Sequence, residues 1–119
     1  MALLQATYRD AGAVTVLDLS GRITLGEGSA LLRSTIRELL DDHRIRILVN
    51  LGDINYIDSS GIGELVSAFT AVKNRGGELK LLNLTKKVRD LLQITKLYTV
   101  FDVHSDEVTA LRSFDKTPV

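Results

Sequence analysis

The run Ile45-Arg46-Ile47-Leu48-Val49-Asn50-Leu51 sets the narrowest limits on what this chain can fold into. It is short, rich in branched side chains and apolar on both alternations, the pattern of a strand covered on each side or central in a sheet. Helical periodicity lies on both sides of it. Upstream, Leu32, Ile36, Leu39 and Leu40 share one face of a helix that starts at Glu27 and ends near Asp42. Downstream, Ile62, Leu65, Val66, Phe69 and Val72 form a stripe expected to face the sheet, and Gly76-Gly77 stops that helix. A strand joined through helices to its neighbours requires parallel crossovers, so the run belongs in the middle of an α/β sheet.

The rest of the chain repeats the alternation. Leu4 to Arg9 reads as an edge strand and Asp10-Ala11-Gly12 as turn chemistry. Val14, Val16 and Leu19 mark the second strand of a hairpin that Gly21 closes. Glu78 to Leu84 is expected as a strand, Lys86 to Gln93 as a short helix carrying Val88, Leu91 and Leu92, Thr99 to Val103 as a last strand and Asp106 to Phe114 as a final helix. Asp115 to Val119 reads as a frayed, disordered tail. The predicted architecture is one mixed sheet of about five strands, opened by a hairpin, with about four helices packed on it. At 119 residues a single domain over 1–119 accounts for the length.

Composition removes several functions. Fifteen Lys and Arg balance fifteen Asp and Glu, so there is no long-range positive field to gather nucleic acid or an anionic membrane surface. The absence of cysteine excludes disulfides, thiol catalysis and sulfur-based zinc sites, and it fits a reducing compartment. The N-terminal Met-Ala-Leu-Leu-Gln lacks a basic leader, and no apolar run approaches the roughly 20 residues of a spanning helix. A cytoplasmic protein with no direct membrane insertion is expected.

The informative segment is Leu51-Gly52-Asp53-Ile54-Asn55-Tyr56-Ile57-Asp58-Ser59-Ser60-Gly61-Ile62-Gly63, which runs from the central strand into the strongest helix. Such corners are where ligands and partners meet open sheets. Asp58, Ser59 or Ser60 can each cap the helix, and a phosphate on Ser59 would sit where free amides and the helix dipole stabilise an anion. Gly61 and Gly63 add no bulk and admit a close partner. The plainer reading is an N-cap with flexible glycines, and residue chemistry alone goes no further.

Tyr56-Ile57-Asp58-Ser59-Ser60-Gly61-Ile62-Gly63 resembles the phosphorylation motif of the STAS family of anti-sigma factor antagonists: an apolar residue, Asp-Ser-Ser or Asp-Ser-Thr, Gly, an aliphatic residue and Gly. The order of elements is similar to that family's fold over nearly the whole chain. Gly76-Gly77-Glu78-Leu79-Lys80-Leu81 resembles its turn into the next strand, and Leu91 to Phe101 its Leu-rich helix and final strand. The resemblance implies partner switching. The unphosphorylated antagonist binds an anti-sigma factor kinase of the histidine-kinase-like ATPase fold and frees a sigma factor; phosphorylation of Ser59 ends binding, and a metal-dependent serine phosphatase resets it. Asp58, Ser59, Ser60, Gly61, Ile62, Gly63, Arg22 and Thr24 are then the partner-binding residues, in a monomer or weak dimer, with no catalytic residue, metal or cofactor. Phosphorylation adds about −1.5 to −2 charges near pH 7, enough to repel an acidic partner surface without a change of fold. One stretch departs from the family: Gly21-Arg22-Ile23-Thr24 stands where antagonists often carry Gly-Glu-Leu-Asp, so the acidic groups of the expected partner surface are missing there, and Arg22 reads as a solvated surface residue, with contact to a phosphate as the alternative.

Other functions fit less well. A hydrolase using Ser59 or Ser60 lacks Gly-x-Ser-x-Gly, and only His43, at a helix end, and His104, expected in a loop, could act as its base. A phospho-receiver using Asp53 or Asp58 needs neighbouring acidic ligands for Mg²⁺, and Asp53 reads as a turn residue and Asp58 as a cap. There is no Gly-x-x-x-x-Gly-Lys-Ser/Thr loop for a nucleotide. The nearest rival keeps the fold and makes the chain a STAS scaffold or small subunit of a stress-sensing assembly or membrane transport machine.

Overall fold

A computed structural model describes residues 4–114. The strands are β1 (Leu4–Ala11), β2 (Val14–Ile23), β3 (Arg46–Ile57), β4 (Glu78–Leu82) and β5 (Val103–His104), and the helices are α1 (Glu27–Asp41), α2 (Ser59–Asn74), α3 (Lys86–Ile94) and α4 (Glu107–Phe114). The strands form one sheet in the order β1-β2-β3-β4-β5. β1 and β2 are an antiparallel hairpin, and every later pairing is parallel, as helix crossovers require. The α/β class, the mixed sheet and the central position of Ile45 to Leu51 all hold. The tail from Asp115 to Val119 lies outside the described residues.

The larger core fills one face. Leu17, Leu19 and Ile23 of β2 and Ile47, Val49 and Leu51 of β3 meet Leu32, Ile36 and Leu39 of α1 and Ile62, Leu65, Ala68 and Val72 of α2. Val88 and Leu92 of α3 extend it. On the opposite face α4 packs Ala110 and Phe114 on Val14, Val16, Leu48 and Leu82. That explains the run apolar on both alternations: Leu48 faces α4 while Ile47 and Val49 face α1 and α2.

Four expectations need correction. Gly21 does not close the hairpin, because β2 continues through it, at φ 104, to Ile23. β3 does not stop at Leu51 but runs on to Ile57, so Asp53 is a strand residue paired with Ser20 rather than a turn residue. Leu51, Ile54 and Ile57 are spaced by three, which a regular strand would send to alternate faces. Extra β3 residues between Asp18/Ser20 and Gly21/Arg22 act as bulges, restoring all three to the core. The last strand is only Val103–His104, with Thr99 and Val100 in a turn, and His104 is thus in a strand rather than a loop. Finally, Val66 and Phe69 flank the buried stripe of α2 and are half-buried, whereas Ala68 lies inside it.

The corner between strand β3 and helix α2

The carboxylate of Asp58 organises this corner. Asp58 is extended (φ −107, ψ −177), and its Oδ1 accepts the Gly61 N–H at 2.9 Å, capping α2. Its Oδ2 accepts the N–H of Leu25 at 3.1 Å, fastening the β2–α1 loop to the start of α2. The Asp58 N–H donates to the Ile23 carbonyl at 3.3 Å. One carboxylate oxygen and the amide of this residue thus tie the end of β3 to the end of β2, while the other oxygen caps α2.

Ser59 is the first residue of α2, exposed, and its hydroxyl has no hydrogen-bond partner among the described residues. Ser60 is half-buried. The cap from Asp58 satisfies the Gly61 amide, and the Ile62 N–H donates to the Asp58 carbonyl at 3.1 Å. The amides of Ser59 and Ser60 remain the open donors of the first turn, beside the positive end of the helix dipole.

The two glycines of the motif differ. Gly61 is buried: a Cβ there would overlap the Ile23 carbonyl oxygen and lie 2.7 Å from Ile57 Cγ1. Its small size serves contact within the chain, so the expectation that it admits a partner is replaced by close packing of α2 on β2. Ile62, 2% exposed, likewise points into the core. Gly63 is exposed with open space around it. Thr24 is half-buried, its carbonyl accepting from Ser29 N at 3.0 Å and Ser29 Oγ at 2.9 Å. Exposed Arg22 pairs in register with Tyr56 and lines a small recess with Asn55 and Tyr56. Of the expected partner-binding residues, Ser59, Gly63 and Arg22 are exposed, Asp58, Ser60 and Thr24 are half-buried, and Gly61 and Ile62 support them from within.

Sequence reasoning passed over two residues. Leu25, 78% exposed, is attached through its amide to Asp58. Tyr56 is 42% exposed, with Lys87 Nζ 5.4 Å from its ring centroid. Tyr56 was legible as the aromatic residue just before the motif, whereas a lone Leu in a loop carries no signal until its neighbours are known.

The histidines are elsewhere. His43 is exposed at φ 60 ahead of β3, whereas Ser59 follows the far end of that strand. A β-strand rises about 3.3 Å per residue, so β3 alone separates them by on the order of 30 Å. His104 lies in β5 with Nε2 3.1 Å from Asp102 Oδ2. No group of three or more His, Asp and Glu able to hold a metal occurs among the described residues, and no helix there is long and apolar enough to cross a membrane.

The family model described as STAS domain matches residues 5–110. An anti-sigma-B factor antagonist of Bacillus subtilis is 43% identical over 53 residues, which are 44% of this chain and 49% of that relative. An anti-sigma F factor antagonist of Paenibacillus polymyxa is 24% identical over 94% of this chain and 96% of its own. The crystal structure of an anti-sigma factor antagonist from Mycobacterium paratuberculosis superposes with a TM-score of 0.84 at 18% identity, covering 95% of each chain. The Bacillus cell fate determinant SpoIIAA in its phosphorylated form gives 0.70 at 19% identity, over 92% of this chain and 99% of that one. The two solved structures establish a shared fold, and the family match covers nearly all of it.

Proposed function

This chain belongs to the STAS domain family, and from that membership we propose that it is an anti-sigma factor antagonist switched by phosphorylation of Ser59. It acts by binding rather than by catalysis. The unphosphorylated corner binds an anti-sigma factor that is also a serine kinase, of the histidine-kinase-like ATPase fold, and a sigma factor is released. The kinase then transfers the γ-phosphoryl of its ATP to the Ser59 hydroxyl: the Ser59 Oγ–P bond forms, the bond to the β-phosphate oxygen breaks, ADP leaves and the hydroxyl proton passes to a base of the kinase. A metal-dependent serine phosphatase returns the hydroxyl by transferring the phosphoryl group to water and releasing inorganic phosphate.

The observation that carries this reading is the contrast between Ser59 and Asp58. Ser59 is an exposed, unengaged hydroxyl at a helix start, and Asp58 beside it is immobilised by two backbone amides. The acceptor therefore stands on a fixed corner. The new phosphate finds the open amides of the first turn, while its charge faces any partner seated there. That relatives over most or part of this chain are named anti-sigma factor antagonists supports the same reading.

The test is binding of the purified anti-sigma factor kinase of the source cell to unmodified protein, Ser59→Ala and Ser59→Asp. Unmodified and Ser59→Ala proteins are expected to bind, and Ser59→Asp to bind at least about tenfold more weakly, as a charge placed in a close contact does. Equal binding of Ser59→Asp would remove the switch from this residue. Capture of transporter subunits with no kinase would favour a role as a small subunit of a transport machine.

A further inference from the structure

On the α4 side of the sheet, α4 covers Val14, Val16, Leu48 and Leu82, and beyond these the sheet carries polar side chains in a fixed arrangement. Asn50 Oδ1 accepts from the Gly52 N–H at 3.1 Å and from Asn83 Nδ2 at 3.3 Å, while Asn50 Nδ2 donates to Asp18 Oδ1 at 2.9 Å. Asp18 is held by Arg9 Nε at 2.8 Å, and Arg9 is tied to Glu107 of α4. Asn83 adopts φ 59, and its N–H donates to the His104 carbonyl at 2.9 Å. The chain of contacts from α4 to Asn83 orients both asparagine amides without any ligand.

Asn50 and Asn83 line a cleft of about 770 Å³ where β4 and β5 end against the middle of β3, together with Asp53, Arg89, His104 and Ser105. The volume is that of a small-molecule site. Arg89 is exposed and in no ion pair among the described residues, whereas Lys86 on the same helix is paired with Asp90 at 2.7 Å. His104 also lines the cleft, but its Nε2 is closed to solvent and turned to Asp102 Oδ2, 3.1 Å away. An apolar molecule would strip water from these groups without replacing it, which costs free energy. A guanidinium pairs with a carboxylate or phosphate, while amides and a hydroxyl pair with hydroxyl groups.

We infer that this cleft binds a small hydroxylated organic anion, with Arg89 holding the anionic group and Asn83 and Ser105 the hydroxyls, while Asp53 at the rim opposes the bound charge. Sugar phosphates and sugar acids share that chemistry. The inference does not depend on the role of Ser59. The experiment is an NMR titration of the ¹⁵N-labelled full chain with ribose 5-phosphate, with gluconate and with inorganic phosphate. Saturable shifts of the Asn50 and Asn83 side-chain amides and of the Gly52 and Ser105 backbone amides are expected with one or both organic anions, the response to each telling a phosphate from a carboxylate ligand. Arg89→Ala should weaken that binding by about tenfold or more, the scale of one charge-assisted contact. Asp53→Asn, which removes an opposing charge, should bind at least as well as the parent chain. Absence of saturable shifts with both organic anions overturns the proposal. So do undiminished binding by Arg89→Ala, loss of binding in Asp53→Asn, or an equal response to inorganic phosphate, which would mean ordinary ion binding at the surface.

Discussion

Replacing Gly61 by alanine places a methyl group against the Ile23 carbonyl oxygen, 2.7 Å from Ile57 Cγ1 and 3.0 Å from Ile23 Cγ2. The obstacle is largely backbone. Ile23 pairs with Ile57 across the parallel ladder, and its carbonyl already accepts the Asp58 N–H, so relief requires α2 to move off the sheet rather than a side chain to turn. Overpacking of this kind costs about 1–3 kcal/mol, with backbone obstruction toward the upper end. Alanine returns at most about 1 kcal/mol of helix propensity, leaving a net loss of roughly 1–2 kcal/mol for Gly61→Ala. Gly63→Ala is the control two residues along, because its Cβ meets nothing within 4 Å. There the propensity term acts alone, and stability should rise by about 0.5–1 kcal/mol. Urea denaturation followed by far-UV circular dichroism measures both from the shift in midpoint at unchanged slope. A Gly61→Ala protein as stable as the parent, or two variants that move in the same direction, would show that the close approach of α2 to β2 is misread.

Phe69, half-buried and edge-on to Phe101 at a centroid distance of 5.5 Å, should lose about 1–3 kcal/mol on Phe69→Ala, less than the roughly 3–5 kcal/mol of a fully buried ring; a thermal melt reads the difference. Asp58→Ala removes the cap of α2 and the acceptor of the Leu25 amide, so it should cost about 1–2 kcal/mol and speed hydrogen exchange at Leu25; unchanged exchange there would break the link between the two loops. Acid should destabilise the fold. Hydrogen bonding to Arg9 holds Glu107 below its ordinary 4.5; at Asp18 and Asp102 burial pushes upward, but hydrogen bonds from Arg9 and Asn50 to Asp18, and the close approach of His104 and Lys80 to Asp102, outweigh it and hold both below 3.8. Groups with lowered folded values stabilise the protein above their unfolded values and lose that contribution as pH falls through the folded ones. Denaturation midpoints should therefore drop below about pH 5. Arg9→Ala should flatten this decline modestly, since Arg9 is largely exposed and screened, and an unchanged profile would exclude the Arg9 contacts as its cause.

The sheet and helices were legible because burial imposes a period. Leu32, Ile36, Leu39 and Leu40 could share a face only as a helix, and the doubly apolar Ile45 to Leu51 only as an interior strand. What escaped were features set by neighbours rather than by local pattern. The continuation of β3 through Gly52, Asp53 and Asn55 uses poor strand formers and a three-residue apolar spacing, and only bulges against β2 make it a strand. The run from Thr99 to Val103 has strand chemistry, yet its first residues turn, and pairing starts at Val103. At the corner, a helix start with a cap at Asp58 was readable from residue types. That Gly61 closes against β2, and that Leu25 is bound to Asp58, depend on a loop more than thirty residues away in sequence.

Phosphate on Ser59 and nowhere else is the central event of the proposed switch. Incubating the parent chain and Ser59→Ala with the purified anti-sigma factor kinase and ATP, then mapping phosphopeptides by mass spectrometry, measures it. The exposed hydroxyl of Ser59, at a corner fixed by Asp58, should take a single phosphate, and a folded Ser59→Ala protein should take none. Stoichiometric phosphate on Ser60 in the parent chain, or undiminished phosphorylation of Ser59→Ala, would contradict it.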